Sequence, residues 1–154
     1  MVKLIRCNSK SPDFLSLTKE LDADLSQRNG TVQLSYDKYN KLPDIETVVV
    51  AYIGKVGVGC GCFKEYDNQT AEIKRMYVKP ENRGNGIAKQ ILVELEKWAR
   101  ESRYSRLVLE TGLKQPEAIG LYRNKGYSGI ANYGQYAGMP NSICFGKQLT
   151  GKQK

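Results

Sequence analysis

Histidine is missing from all 154 residues of the chain. Its absence removes the side chain that most often serves as a general base near neutral pH, and it deprives a zinc site of its usual nitrogen ligand. A proton that a reaction removes must therefore pass to a carboxylate, a tyrosine, a water chain or bulk solvent. The composition alone thus limits the acid–base chemistry of any active site.

Cysteine is scarce as well, with four residues at positions 7, 60, 62 and 144. All four lie on predicted strands among apolar neighbours, where a free thiol is a common small buried group. Cys60 and Cys62 point to one face of the same strand, but two sulfurs do not complete a zinc site of four ligands. We therefore expect core packing for the cysteines and no bound metal.

Long apolar runs are also absent, since no segment approaches the roughly 18 to 20 apolar residues that a membrane-spanning helix needs. Residues 1–6 are charged and alternating, unlike a secretory signal peptide. We expect a soluble, cytoplasmic protein without a membrane partner. The length predicts a single domain over residues 1–154, with one core that needs no metal or disulfide.

Clusters of basic residues are missing although the net charge is +8, from 24 Lys and Arg against 16 Asp and Glu. No Lys/Arg block exceeds two residues, and no aromatic–basic repeat of the kind that binds single-stranded nucleic acid occurs. This scatter disfavours a nucleic-acid partner. A basic surface suits a small polyanion equally well, because it concentrates such a ligand by electrostatic steering.

Hydrophobic periodicity predicts a mixed α+β fold with a mostly antiparallel sheet of six or seven strands and about four helices. Gly54-Lys55 is a hairpin turn between two strands, and the next strand extends them into a meander. The helix that follows leads by a crossover to a strand parallel to its predecessor. The predicted strands are residues 2–7, 45–53, 56–64, 71–78, 106–111, 128–131 and 142–149, and the predicted helices are residues 12–29, 86–101 and 116–125, with a short helix or irregular lid at 34–42.

The most informative segment, residues 78–88, places a glycine turn between a predicted strand and a predicted helix. Glycines let the main chain approach a ligand closely, and the first N–H groups of the helix point at an anion. The dinucleotide pattern G-x-G-x-x-G would need a third glycine at Lys89. The P-loop needs four residues between glycines, whereas Gly84 and Gly86 are separated by one. The turn suits a diphosphate, but neither nucleotide motif describes it.

Arg83–Ala88 reads R-x-x-G-x-A and resembles motif A of the GNAT acetyltransferase superfamily. Residues 72–78 look like the fourth strand of that family, and residues 118–127 look like its A-x-x-L-Y-x-x-x-G-Y signature. Residues 141–149 resemble the last strand of many members, so the resemblance covers residues 45–149. It implies a three-layer α/β arrangement in which the sheet splays apart between the fourth and fifth strands.

The resemblance further implies acetyl-CoA as the donor. Its pantetheine arm would pair with the edge of the fourth strand, its diphosphate would lie on the amides of the glycine turn, and the Val78 N–H would donate to the thioester oxygen. Gln115 stands where many members have asparagine, so the amide is kept but its reach is one methylene longer. The residues expected to bind the cofactor are Met76, Tyr77, Val78, Arg83, Gly84, Asn85, Gly86, Ile87, Ala88, Lys89 and Gln115.

Two catalytic residues follow from the same resemblance. Tyr122 stands where the family places a tyrosine whose hydroxyl approaches the sulfur of coenzyme A, and an ordinary pKa near 10 suits a general acid there. Glu72 stands where many relatives carry a glutamate that acts as a base through water, and Glu110 is the second candidate. A different interpretation stays open for both carboxylates, as strand residues paired with Lys74 or Arg106.

The predicted function is an acetyl-CoA-dependent N-acetyltransferase that moves an acetyl group to a primary amine of a small molecule or peptide, by direct attack in a ternary complex. The alternative is a catalytically inactive acyl-CoA-binding module, or a basic nucleic-acid adaptor, on the same fold. The aromatic-rich residues 133–140, with Tyr36 and Tyr39, border either the amine acceptor site or the surface of a homodimer.

Overall fold

The computed structural model describes residues 1–29, 44–113 and 115–149. The predicted short helix or lid at 34–42, with Tyr36 and Tyr39, lies outside these residues. None of the helices in the described ranges has both the length and the apolar character that crossing a membrane demands.

In chain order the elements are β1 (Val2–Cys7), α1 (Pro12–Asn29), β2 (Val48–Ile53), β3 (Val56–Glu65), β4 (Thr70–Val78), a 3₁₀ turn (Pro80–Asn82), α2 (Ile87–Glu101), β5 (Arg106–Gly112), α3 (Pro116–Asn124), β6 (Ser128–Ile130), a second 3₁₀ turn (Gly134–Tyr136) and β7 (Ser142–Gln148).

The seven strands form one mixed sheet of order β1-β2-β3-β4-β5-β7-β6. β4 and β5 are parallel because the α2 crossover joins them, and every other neighbouring pair is antiparallel. β7 returns between β5 and β6 instead of adding to the sheet edge. The predicted fold class, a mixed and mostly antiparallel sheet with helices on it, is confirmed, and three of the expected helices lie within the described residues.

Helices cover both faces of the sheet, which gives the three-layer arrangement. α2 is strongly amphipathic, with apolar residues three or four apart, and it buries this stripe on one face together with α3. α1 covers the other face, where Cys60 and Cys62 of β3 lie buried as free thiols, as the sequence predicted. The residues that α1 contributes to this second core are Phe14, Leu17, Leu21 and Leu25.

The position of α2 depends on one close approach to the sheet. A Cβ atom at Gly61 would lie 2.5 Å from the Met76 sulfur and 3.0 Å from Cδ1 of Leu95. Glycine is therefore the residue that lets α2 lie directly against β3 and β4. Because the glycine turn is the N-terminal end of α2, this contact also fixes where the turn sits relative to β4.

β4 and β5 pair over only four residues each, Thr70 to Ile73 with Arg106 to Leu109. Beyond them the two strands separate, while each stays hydrogen-bonded to its neighbour on the far side. Arg75 has a φ of 61° and lies where the register of β3 and β4 shifts, so β4 carries a bulge that bends it. We call the gap beyond Ile73 and Leu109 the fork; it confirms the predicted splay.

A buried polar cluster joins α2 to the end of α3 and to β7. The Glu96 carboxylate accepts hydrogen bonds from the Tyr127 hydroxyl at 2.8 Å and from Nζ of Lys147 at 3.1 Å. Nζ of Lys147 also donates to the carbonyl oxygen of Lys125 at 2.9 Å. The Tyr127 ring stands edge-on to the Tyr122 ring, with centroids 5.8 Å apart. The cluster therefore holds the helix end that carries Tyr122.

Replacing Glu96 by alanine should lower the free energy of unfolding by about 2–4 kcal/mol, since it leaves the Tyr127 hydroxyl and the Lys147 ammonium without their acceptor. Urea denaturation at unchanged slope measures this loss. Glu94→Ala is the matched control on the same helix, because Arg6 keeps Glu101 as a partner at 2.7 Å and the lost pair is partly exposed. Equal losses in the two variants would contradict a stabilising role for the cluster.

Candidate active site

A cavity of about 630 Å³ opens at the fork. Strands β4 and β5, the glycine turn, both later helices and the second half of α1 line it. The predicted catalytic residues Glu72 and Tyr122 line it, as do all the predicted cofactor-binding residues except Asn85. The Asn85 side chain is exposed and its amide donates to the carbonyl oxygen of Asn82 at 3.4 Å. The tertiary structure therefore brings the predicted site residues together, with Asn85 at the outside of the turn.

The glycine turn has the geometry of an anion cradle. Gly84 and Gly86 have φ values of 83° and 77°, a left-handed conformation that glycine adopts without strain, and a Cβ at either would meet nothing within 4 Å. The N–H of Gln90 donates to the carbonyl oxygen of Gly86 at 3.0 Å and closes the first turn of α2. The preceding N–H groups, of residues 87–89, point out of the helix along its dipole. This geometry suits a diphosphate.

Arg83 ties the glycine turn to the end of β4. Its Nε donates to the carbonyl oxygen of Val78 at 2.8 Å, and its guanidinium lies 5.5 Å from the centroid of the Tyr77 ring. The Tyr77 hydroxyl donates in turn to Glu20 of α1 at 3.2 Å, and Lys79 pairs with the same carboxylate at 2.8 Å. The turn is thus fixed to both β4 and α1.

The second half of β4 presents a main-chain edge to the cavity. Val78 pairs with Gly59 of β3 on one side, and the N–H of Lys79 donates to the Val58 carbonyl oxygen at 2.9 Å. On the β5 side, the pairing of β4 ends at Ile73. Alternate N–H and C=O groups of residues 74–78 therefore face the cavity, and an extended chain with amide groups can pair with such an edge.

Lys74 and Glu110 flank the point where the strands part. Ile73 and Leu109 form the last paired rung, so Lys74 and Glu110 occupy the next rung on opposite sides of the fork. Side chains on one rung of a parallel pair share a face of the sheet. Nζ of Lys74 donates to the Tyr136 hydroxyl at 3.2 Å. Burial lowers the pKa of Lys74, and the charges of the nearby carboxylates oppose this shift.

The two candidate bases have different surroundings. Glu72 lies two residue pairs deeper in the sheet than Glu110, is 2 % exposed, and accepts a hydrogen bond from the Tyr133 hydroxyl at 2.8 Å. Its carboxylate is 3.9 Å from Nζ of Lys74, so the pairing considered from the sequence is present but loose. Glu110 accepts a hydrogen bond from the Ser142 hydroxyl at 2.7 Å. Burial raises the pKa of Glu110, which brings it closer to neutral pH.

Tyr122 is held rigidly beside the fork. It is 5 % exposed and packs against the rings of Tyr127 and Phe145, at centroid distances of 5.8 Å and 6.2 Å. Burial, together with the negative charge of Glu110, raises its pKa above the ordinary value. The phenol therefore keeps its proton through the physiological range, and it can donate a hydrogen bond to negative charge that develops in the cavity.

Sequence reasoning did not identify Lys74 as a site residue, and it placed Tyr136 only within a bordering loop. The signal for Lys74 was present, because the period of two on β4 puts it on the same face as Glu72. Tyr133 and Tyr136 both bond to β4 residues of the site, which favours the acceptor-side interpretation of residues 133–140. Ser142 also escaped notice, since its contact with Glu110 depends on β7 pairing with β5.

Known proteins resemble this chain in sequence and in fold. The model of the acetyltransferase (GNAT) family matches residues 14–127. Over 108 residues the chain is 38% identical to IAA acetyltransferase of Azospirillum brasilense, with 70% of each chain covered. A crystal structure of a provisionally assigned acyl-CoA N-acyltransferase from Klebsiella pneumoniae superposes with a TM-score of 0.82 at 26% identity, over 97% of this chain and 99% of that one.

A GNAT family acetyltransferase from Elizabethkingia anophelis, solved with acetyl-CoA bound, has the same fold, with a TM-score of 0.68 at 20% identity over 96% of this chain and 98% of that one. The residues that the family model matches run from α1 through the glycine turn to Tyr127 and include most of the cavity wall. The chain therefore belongs to the GNAT family of acetyltransferases and is an acyltransferase.

Proposed function

We propose that the chain is an acetyl-CoA-dependent N-acetyltransferase, which transfers the acetyl group to a primary amine of a small molecule or peptide by direct attack in a ternary complex. One observation carries the proposal: the unpaired edge of β4 runs from an anion-binding glycine turn to a fork at which Tyr122 and two buried carboxylates meet. The acetyl-CoA bound to the Elizabethkingia protein of the same fold supports this donor.

The donor would lie along β4. The amides of Gly86, Ile87 and Ala88 take the diphosphate, with Arg83 and Lys89 adding positive charge, and the pantetheine amides pair with the free edge of residues 76–78. From Val78 back to the fork is four residues, or about 13 Å of strand. Because Val78 adjoins the diphosphate turn, the thioester would lie nearer Met76 than Val78, in contrast to the expectation from the sequence. Gln115 lies on the cavity wall and can bond to the arm through its amide.

The reaction joins the amine nitrogen to the acetyl carbon and breaks the bond from that carbon to sulfur. A neutral amine attacks, a carboxylate at the fork accepts the proton that the nitrogen loses, and Tyr122 faces the departing thiolate. An ordinary thiol, with a pKa near 8.5, is a stronger acid than Tyr122. The phenol therefore acts mainly through a charge-assisted hydrogen bond that strengthens as negative charge develops on sulfur.

Two measurements test the proposal against its alternatives. Titration calorimetry with acetyl-CoA should show binding, which a nucleic-acid adaptor would lack. Release of the coenzyme A thiol in the presence of a library of primary amines should be faster than its release without them. Binding without amine-dependent thiol release would instead identify an inactive acyl-CoA-binding module.

Gly86→Asn should raise the Michaelis constant for acetyl-CoA at least tenfold. Asparagine tolerates the left-handed conformation, so the cost to the fold stays below roughly 1 kcal/mol, while the new side chain enters the space of the diphosphate. Gly138→Asn is the matched control, since Gly138 has a φ of 80° with nothing within 4 Å and does not line the cavity. An unchanged Michaelis constant in Gly86→Asn would remove the diphosphate role.

Tyr122→Phe should lower kcat by roughly 10²-fold, because the negative charge that develops on sulfur loses its hydrogen-bond donor. The dissociation constant for acetyl-CoA, measured by calorimetry, should change little since the ring is kept. Tyr127→Phe is the matched control: it removes a hydroxyl from the adjoining ring, where that hydroxyl points to Glu96 and away from the fork. A kcat for Tyr122→Phe equal to that of the control would exclude this hydrogen-bonding role.

The pH dependence of kcat/KM identifies the base. Only a deprotonated carboxylate accepts the amine proton, so activity should rise with pH through the pKa of that group. If Glu110 is the base, its raised pKa places this rise above the ordinary carboxyl value of about 4.3. The rise should then vanish in Glu110→Gln and persist in Glu72→Gln. The reverse pattern would assign Glu72, and a rise that persists in both variants would assign water or solvent.

A further inference from the structure

The cavity has a basic end and an acidic end. Arg83 and Lys89 lie at the glycine turn, where the proposed donor carries its phosphates. The acidic end, defined by Glu72 of β4 and Glu110 of β5, lies at the fork on the face of the sheet that α1 covers. A donor of high negative charge and an acceptor of positive charge would each meet complementary charge in this arrangement.

The cations near the acidic end are already compensated. Nζ of Lys74 lies 3.9 Å from Glu72 and also interacts with Glu110, so one ammonium is shared between two buried carboxylates. Arg75 pairs with Asp22 of α1 at 2.6 Å. Lys64, across from Glu72 on β3, does not line the cavity. Among the described side chains of β4 and β5 that line the cavity, and with Arg75 paired to Asp22, two carboxylates and one ammonium thus leave one negative charge at the fork.

An amine acceptor changes this balance in a way that depends on its other groups. An acceptor with one ammonium and no other charge gives two cations against two carboxylates, which neutralises the buried fork. An α-amino acid adds its own carboxylate next to the amine, so three carboxylates would surround two cations. A third buried carboxylate would need a further cation, and Lys74 is already shared.

Part of the wall at this end is apolar or aromatic. Leu21 and Leu25 of α1 line it, and so does Tyr136, whose ring is held by the bond from Lys74 to its hydroxyl. Such a wall suits an apolar body attached to the amino group, and an aromatic face attracts an ammonium.

Resting on the proposed function, we infer that the acceptor is a compact primary amine with an apolar body and without a carboxylate beside its amino group, of the kind obtained by decarboxylating an α-amino acid. The net charge of the three buried residues Glu72, Lys74 and Glu110 favours binding of an acceptor that carries only an ammonium. The same net charge disfavours an amino acid of the same shape, because that acceptor adds a carboxylate.

Matched acceptors test this inference on the full chain with saturating acetyl-CoA. The probes are tyramine, tyrosinamide and tyrosine, which share the amine and the ring and differ in the substituent beside the amine. Phenethylamine with phenylalanine, and isopentylamine with leucine, vary the body. Thiol release should give kcat/KM values at least tenfold higher for each amine than for its amino acid. Tyrosinamide, which has the size of tyrosine without its negative charge, should follow tyramine.

Two results overturn the inference. One is an amino acid that is used as well as its amine; the other is a loss for tyrosinamide as large as that for tyrosine, which would show exclusion by size. Thermal shift of the protein loaded with coenzyme A, which has no acetyl group to transfer, gives a readout without turnover with the same compounds, where only the uncarboxylated probes should stabilise. An absence of both turnover and stabilisation with every pair also overturns it.

The variant Lys74→Met distinguishes two roles for Lys74. In one, Lys74 only contributes to the net charge of the fork; in the other, it binds the carboxylate of the acceptor directly. With the fork more negative, the preference for tyramine over tyrosine should increase further, whereas Lys55→Met, a control in the exposed turn between β2 and β3, should leave the ratio unchanged. If Lys74 anchored acceptor carboxylates, the unmodified protein would prefer tyrosine and Lys74→Met would lose that preference. Failure of the proposed function is distinct from all of these, because it would show no amine-dependent thiol release with any primary amine of a broad library.

Discussion

The separation of β4 from β5 after four paired residues is the constraint on which the rest of the structure depends. A continuous parallel sheet would satisfy the main chain of β4 internally and would leave no edge for a ligand. The bulge at Arg75 bends β4, and β3 and β7 hold the two strands from their outer sides, so the gap stays open without loss of the sheet. Every candidate catalytic group lies along this gap.

Two sets of buried charges have different roles in this fold. Glu96 with Lys147 and Tyr127 forms a nearly closed network, in which the carboxylate has its donors within 3.1 Å, and it stabilises the packing of α2 against the end of α3. The set at the fork is looser, since Lys74 lies 3.9 Å from Glu72. Buried charges with incomplete pairing are costly, and they are typical of sites whose missing partner is a ligand.

Local patterns predicted the elements that form the basic end of the cavity. The strand, the glycine turn and the amphipathic α2 are contiguous in the chain, so their order and spacing were sufficient to place Gly84, Gly86 and the N-terminus of α2. The spacing within the A-x-x-L-Y signature similarly placed Tyr122. Asn85 shows the limit of this reasoning, because a residue within the motif points outward and bonds to Asn82. Sequence position gives the turn, but not the direction of each side chain.

The amino-acid sequence by itself determined the strands, the helices, the glycine turn and the exclusion of histidine chemistry, because each of these follows from residue type and short-range spacing. Only the tertiary structure decided which carboxylates face the cavity and with what partners. β7 returns between β5 and β6, which brings Ser142 to Glu110, and the loop before it brings Tyr133 and Tyr136 to β4. These contacts join residues 32 to 62 positions apart. Desolvation at the fork, which shifts the pKa values of Lys74 and Glu110, exists only after the chain has closed around them.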